Sequence, residues 1–258
     1  MNRIDFTLIV EAINSNPNGD PDQSNRPRTD NLTGKGIITD VCIKRKVRDY
    51  IVEEYGLKDG YDILIRNENL FDEKTESLGD DINKICSKYI DIRLFGSVIA
   101  KKGSSQSLRG PVQIATSNSI YPVNVVDMTI TRQAPSGVKD KEKENHTFGQ
   151  KSYISHGVYK INGTFSPHCA KKAGTTDNDI KVFFDAISNL FKYDASAARV
   201  GMSVKGLYIF EHSSENGDCS RDKLWDSIKI YSEKESPACW EDYKVEILDA
   251  PIKVRAIL

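Results

Sequence analysis

Near the start of the chain Ile4, Phe6, Leu8 and Val10 alternate with Asp5, Thr7 and Glu11. This is the period-2 pattern of a strand with one buried face. The run ends in Asn16-Pro17-Asn18-Gly19-Asp20-Pro21, where Asn, Gly and Pro force turns through their own backbone preferences. The period then changes. Ile43, Val47, Tyr50 and Ile51 form one helical stripe, which predicts a helix over about 39–54 with Gly56 as its stop. Tyr61, Ile63 and Ile65 alternate as a second strand, and Ile82, Ile85, Cys86 and Tyr89 suggest a short helix. Val123, Val125, Met128, Ile130 and Arg132 predict a further strand, broken at Pro135-Ser136-Gly137. Residues 139–144 then read K-D-K-E-K-E, a segment with nothing to bury, so a hairpin projecting into solvent is expected. Past it come a strand over about 157–165 and a helix start at Thr176 and Asp179. Ile180, Phe183, Phe184, Ile187, Leu190 and Phe191 give the clearest helical stripe, and a strand over about 203–211 follows.

Strand, helix, strand, insertion, strand, helix, strand predicts an α+β fold. Its core would be a ferredoxin-like (RRM-like) β-α-β-β-α-β sheet. We expect one domain over 1–258, with a helical and loop insertion at 67–108 and a thumb-like β-hairpin insertion at 118–153.

Composition narrows the class without changing it. The chain has 258 residues, 38% of them apolar and 28% charged, ordinary for a soluble protein. No apolar run is long enough for a membrane helix, and the opening MNRIDFTLIV lacks a cleavable signal pattern, so a cytoplasmic protein with no membrane partner is expected. Five widely spaced cysteines without a Cys-x-x-Cys pair fit reduced thiols.

Charge is unevenly placed. The formal net charge is −1, yet 26–48 carries seven Lys or Arg against two Asp. Such a concentration suits a polyanion, although charge runs are also common on plain solvated faces. From 211 to 249 eleven Asp or Glu face five Lys or Arg. A basic front and an acidic back would favour head-to-tail stacking of identical subunits.

Chemistry of other kinds finds little support. His146, His156, His168 and His212 are scattered without ligand spacing, and the acidic turn at Asp20 and Asp22 lacks the glycine and glutamate of a calcium loop. No Walker A, G-x-G-x-x-G or G-x-S-x-G sequence is present. No metal and no cofactor are expected. An acid–base pair for RNA cleavage could be built from His156 with Tyr153 and Lys151.

Several segments also carry a resemblance. The opening strand, NPNGDP, the Arg26-Pro27-Arg28 turn and ITDVCIKRKVRDYI resemble the start of the backbone subunit of a CRISPR Cascade surveillance complex, in the RAMP superfamily. DIRLFGS at 91–97, RGPVQI at 109–114 and Tyr193-Asp194-Ala195-Ser196-Ala197-Ala198-Arg199 leading to Met202 follow in the same order. The last, with GLYIFEHSS at 206–214, is most similar to the type I-C version; type I-B is similar at the first two motifs. Val200 departs from the pattern, which has Gly there.

The resemblance implies a non-catalytic subunit that coats CRISPR RNA in several stacked copies and supports guide pairing with target DNA. Its partners would be that RNA, target DNA through the guide, further copies of itself, other Cascade subunits and a recruited helicase-nuclease. Lys44, Arg45, Lys46 and Arg48 on the helix, with Arg26 and Arg28 before it, would neutralise phosphates. Asn16, Asn18, Gly96 and Ser97 would approach sugar and phosphate closely. Met128 would wedge against a base, and Arg109, Gln113 and Arg132 complete the expected RNA-binding set. The alternative is an endoribonuclease acting on CRISPR-type RNA, either metal-independent or using Asp20, the position nearest the acidic loop residue with which type III relatives cut target RNA.

Overall fold

The computed structural model describes residues 1–58, 60–101, 104–132 and 147–257. The charged stretch at 139–144 and the Pro135-Ser136-Gly137 break lie outside the described residues.

The organising element is β1 (Ile4–Ser15), with β2 (Gly19–Asp20), β3 (Arg26–Pro27) and β4 (Lys35–Ile38) following it. Helix α1 (Asp40–Tyr55) is capped by the Thr39 hydroxyl, which accepts from the Cys42 amide, and ends at Gly56 as the pattern predicts. Short helices α2 (Phe71–Glu76), α3 (Ile82–Lys88) and α4 (Ile90–Phe95) lead into a hairpin of β5 (Gly96–Lys101) and β6 (Ser104–Arg109). Then come β7 (Val112–Ile114), β8 (Ser117–Pro122), β9 (Val125–Arg132) and the long β10 (Thr147–Phe165). Helices α5 (Pro167–Ala173) and α6 (Asp177–Ser188) precede β11 (Met202–Glu211). The chain closes with α7 (Arg221–Ser227), β12 (Ile228–Ser232), β13 (Tyr243–Ile247) and β14 (Val254–Ile257).

The result is a mixed α+β fold around one antiparallel sheet of eight strands, ordered β14-β11-β1-β10-β8-β4, with β7 and β9 also paired to β10. With the insertions set aside, the chain runs β1, α1, β8, β10, α6, β11. The capping box expected at Thr176 and Asp179 is present in full and starts α6. Phe6, Leu8, Val10 and Ala12 of β1 meet Ile43, Val47 and Ile51 of α1 and Phe183, Phe184 and Ile187 of α6 in the main core. Phe6 packs edge-on against Phe183 and Phe184, with ring centres 5.7 and 5.9 Å apart. The hydroxyls of Tyr50 and Tyr55 both donate to Asp185 and lock α1 to α6.

Three sequence expectations are corrected. First, β1 is not half-buried. Its polar face is covered by α7, β12 and β13, and Ile9 joins Leu224, Ile228 and Tyr243 in a second core. The polar residues there are paired in place, as buried polar groups usually are: Asp5 Oδ2 pairs with His212 at 2.9 Å and Arg3 at 2.7 Å, while its Oδ1 is left without a partner. Thr7 donates to Asn162 at 2.9 Å, and Glu11 pairs with His156 at 3.1 Å and Lys205 at 2.9 Å. Second, 61–65 forms no extended strand; a single bridge joins Asp62 to Tyr89, and the amides of Leu64 and Ile65 donate to Asp91. Third, the hairpin is not an insertion over 118–153. Residues 117–122 are β8 and pair with β4 in the sheet, while β9 pairs with the first part of β10, from Thr147↔Arg132 to Ile154↔Val125. β10 then continues without interruption beside β1 as far as Phe165. The hairpin is the projecting end of a core strand.

Residues 67–108 are stapled to the rest of the fold by buried ion pairs. Asp91 accepts from Arg48 Nε at 2.8 Å and from the Leu64 and Ile65 amides. Arg93 forks onto Asp179 at 3.0 and 2.8 Å and donates to the carbonyls of Gly60 and Cys86. Where α4 turns into β5, two glycines cross. A Cβ on Gly110 would lie 2.1 Å from the Phe95 carbonyl carbon and 2.3 Å from the Gly96 nitrogen. Gly110→Ala is expected to destabilise by about 2 kcal/mol through overpacking, read as a lower urea midpoint at unchanged m. An unchanged midpoint would mean that the crossing opens without cost.

Candidate nucleic-acid interface

At the carboxyl end of β1 the Asn16–Pro21 turns, the first turn of α1 and the Ala198-Arg199 loop converge on a groove of about 670 Å³. The elements are tied together by specific bonds. Asn18 Oδ1 accepts from both the amide and the hydroxyl of Thr39, at 2.9 Å each, fixing the turn to the helix N-cap. The Asn16 amide donates to Ala198 O at 2.7 Å, so the later loop is held against the strand end. The α1 N-terminus therefore opens into the groove, and its free amides and dipole favour an anion there.

Three guanidinium groups line it: Arg28, Arg45 and Arg199. Each has a carboxylate partner at long range: Asp20 at 3.3 Å and Asp194 at 3.3 Å, both partly buried, and the exposed Asp49 at 3.7 Å. Ion pairs this long and open to solvent on the guanidinium side are worth little, so a phosphate can compete for the three cations. Burial pushes the Asp49 carboxyl and the Cys42 thiol up from their usual ranges; nearby cations, Arg45 for the former and Lys46 for the latter, oppose the shift. Lys44 lies beside the groove, bonded to Asp40 at 2.8 Å.

The expected basic face of α1 divides. Arg45 is exposed (65%). Lys46 and Arg48 are not available to a strand in solution: Lys46 is buried against Asp194 and the Phe191 ring, and Arg48 against Asp91 and the Phe95 ring. Both sit off the apolar stripe yet point inward because long-range carboxylates receive them. Gly96 has a structural part in the fold. Its bare Cα, at φ +79°, serves the close approach of Leu108 O and the Gly110 nitrogen, and Ser97 beside it is half-buried.

Arg109 and Gln113 belong elsewhere. They line a smaller groove with Arg3, Phe165 and Arg221, at the amino end of β1, because Phe165 pairs with Ile4. A strand of this length separates the two ends by about 35 Å. Gln113 is also engaged, donating to Gly110 O at 2.9 Å.

The hairpin stands beside the first groove and is fastened to it. Arg26 of β3 pairs with Asp127 of β9 at 3.1 Å, and Lys151 donates to Ala197 O at 2.9 Å. On it Met128 (45% exposed), Ile130 and Phe148 (71% exposed) present apolar side chains to solvent. Met128 and Ile130 share one face, opposite Lys151 and Gly149 in register, and Phe148 lies on the other. The backbone of Arg132 pairs with Thr147 at the far end of the described hairpin.

Arg199 is the groove residue that charge counting missed; the signal was the Tyr193–Arg199 motif itself. Val200, which follows it, is 76% exposed, so no close packing demands a glycine there. The acid–base candidates are dispersed. His156 is buried against Glu11 with the Tyr243 ring 5.7 Å away, and Lys151 is spent on Ala197 O. Asp20 caps its own turn, accepting from the Asp22 amide, and pairs with Arg28. Among the described residues no group of three or more His, Cys, Asp or Glu could hold a metal ion, and no helix is long and apolar enough to cross a membrane.

A cationic groove fed by a helix N-terminus, at the end of an antiparallel sheet and beside an apolar hairpin, can hold a polyanionic strand by its backbone. The chain belongs to the CRISPR-associated protein Cas7 family, whose model matches residues 2–248. A CRISPR-associated protein Cas7 from Haloferax volcanii is 31% identical over 156 residues, covering 48% of this chain and 44% of that relative, so the match spans less than half of the relative's length. Two solved chains share the fold. One, from a CRISPR RNA-guided surveillance complex described as pre-nicking, aligns with a TM-score of 0.57 at 14% identity, over 91% of this chain and 84% of the other. The second, from a CRISPR RNA-guided surveillance complex, aligns with a TM-score of 0.54 at 17% identity, over 91% and 78%.

Proposed function

We propose that this chain is a non-catalytic backbone subunit of a type I-C Cascade, coating a CRISPR RNA in several copies and presenting it to target DNA. The observation that carries the reading is the convergence of Arg28, Arg45 and Arg199 with the α1 N-terminus in one groove. Such a groove grips phosphates without reading bases. That suits a guide whose own pairing does the recognising while the protein holds its geometry. The exposed Met128, Ile130 and Phe148 beside the groove offer apolar surface on which a base can be stacked or wedged. Head-to-tail copies would extend the groove along the RNA, other Cascade subunits would close its ends, and cleavage would fall to a recruited helicase-nuclease. The subtype rests on the Tyr193–Arg199 and GLYIFEHSS segments.

Purified protein is expected to shield bound RNA from added ribonuclease and to cut neither RNA nor DNA, with magnesium or without. Removal of a general base costs about 10²–10⁴-fold, so an intrinsic activity would be visible. Site-specific cleavage by the wild type that vanishes in Asp20→Ala or His156→Ala would transfer the assignment to the endoribonuclease.

A further inference from the structure

Two polar atoms of the first groove are left without partners, and they are complementary. Asn16 is 6% exposed, yet its Oδ1 is buried with no donor. Its amide orientation is fixed, because Nδ2 donates to Asn25 O at 2.6 Å and only the nitrogen can do so. Arg28 spends Nη2 on Asp20, but its Nε is buried with no acceptor. Asn16 and Arg28 both line the groove. Buried polar groups are nearly always satisfied, and an orphan in a native fold calls for an explanation. Here the missing partners are one hydrogen-bond donor and one acceptor.

We propose that Asn16 and Arg28 form a ribonucleotide subsite, with Asn16 Oδ1 accepting from a ribose 2′-hydroxyl and Arg28 Nε donating to a phosphate oxygen of the same strand. The inference rests on the strand-binding reading above and deepens it: the groove selects RNA over DNA, whereas phosphate contacts alone do not. The 2′-hydroxyl is the group that distinguishes the two backbones. A site built to bond a hydroxyl rejects the analogue that lacks it, because the buried acceptor is then left unpaired. Asn18 cannot serve in the same way, since its Oδ1 is already taken by Thr39.

The test uses the full chain and one short single strand of fixed sequence in three chemistries: RNA, 2′-fluoro RNA and DNA. The 2′-fluoro strand keeps an RNA-like sugar but cannot donate a hydrogen bond. Wild type is expected to bind RNA about tenfold tighter than the 2′-fluoro strand at matched salt, with equal salt slopes because the phosphate contacts are shared. Asn16→Leu, close in volume but without the acceptor, is expected to bind the two strands alike. Arg28→Lys, which keeps the charge but lacks Nε, is expected to weaken all three strands together. Equal binding of RNA and 2′-fluoro RNA by wild type, with a normal salt slope, would overturn the subsite and leave the groove as a plain phosphate track, its orphan oxygen held by water. Failure of wild type to bind any strand would remove the strand-binding reading along with it. Should Asn16→Leu not fold, the wild-type ratio decides alone.

Discussion

Arg93→Ala is expected to lower the thermal midpoint by roughly 10 °C. Arg93 is buried, forks onto Asp179 at 3.0 and 2.8 Å and donates to Gly60 O and Cys86 O. Asp179 also receives the Thr176 amide as half of the capping box that starts α6. One guanidinium thus joins the loop after α1, the end of α3 and the start of α6. Removing one partner of a buried ion pair strands the other charge, at a cost of about 3–5 kcal/mol. For a chain of this size each kcal/mol moves the midpoint by about 2–4 °C. Arg93→Lys is expected to recover little, since an ammonium cannot reproduce the fork. Calorimetry of the two variants decides; a shift under about 2 °C for Arg93→Ala would show that Asp179 finds another partner. RNA affinity measured well below the midpoint should stay close to wild type, which separates a structural role for the DIRLFGS segment from a direct RNA contact.

Substituting Arg28, Arg45 and Arg199 together with glutamine is expected to flatten the dependence of log K on log salt by about 2 for single-stranded RNA. Each lost phosphate contact on a single strand removes about 0.7 from the slope, and the three guanidiniums line one groove. The loss should be indifferent to sequence. Lys46→Gln and Arg48→Gln should behave differently, losing cooperative unfolding before they alter the slope, because Lys46 and Arg48 are themselves buried against Asp194 and Asp91. A folded triple variant with the wild-type slope would move the phosphate track away from this groove.

The sequence made some of this legible because the relevant physics is local. The α1 stripe, its stop at Gly56 and the Thr176–Asp179 box are defined within one or two turns, and each is found where expected. The errors share a different cause, namely partners distant in the chain. Lys46 meets Asp194 across 148 positions and Arg48 meets Asp91 across 43, so neither could be seen to point inward. The apolar residues at 61–65 were spaced like a strand but are held by Asp91 instead of a neighbouring strand. The hairpin root was misplaced because 147–153 is too polar to announce that it continues into 154–165. Arg199 belongs to the same class: it ends a recognisable motif but was not among the expected contacts, because the bond from Asn16 to Ala198 that places it at the groove joins positions far apart in the chain.

The covered polar face of β1 sets a timetable for synthesis. β1 is made first, yet both neighbours that pair with it, β10 and β11, and the α7-to-β13 cover over Asp5, Thr7 and Glu11 come from the later part of the chain. At ribosomal speeds of about 5–20 residues per second, β1 waits roughly 7–30 s before the whole of β10 has been made. During that wait it is an unpaired strand with an apolar face, which is the kind of segment that aggregates or recruits a chaperone. Its three buried polar side chains make the wait safer than an all-apolar strand would, because they remain hydrated until the ring nitrogens of His156 and His212 and the Asn162 amide arrive. Ribosome-bound chains that stop short of β10 should therefore be protease-sensitive throughout, with protection of β1 appearing only once β10 and β11 have been made.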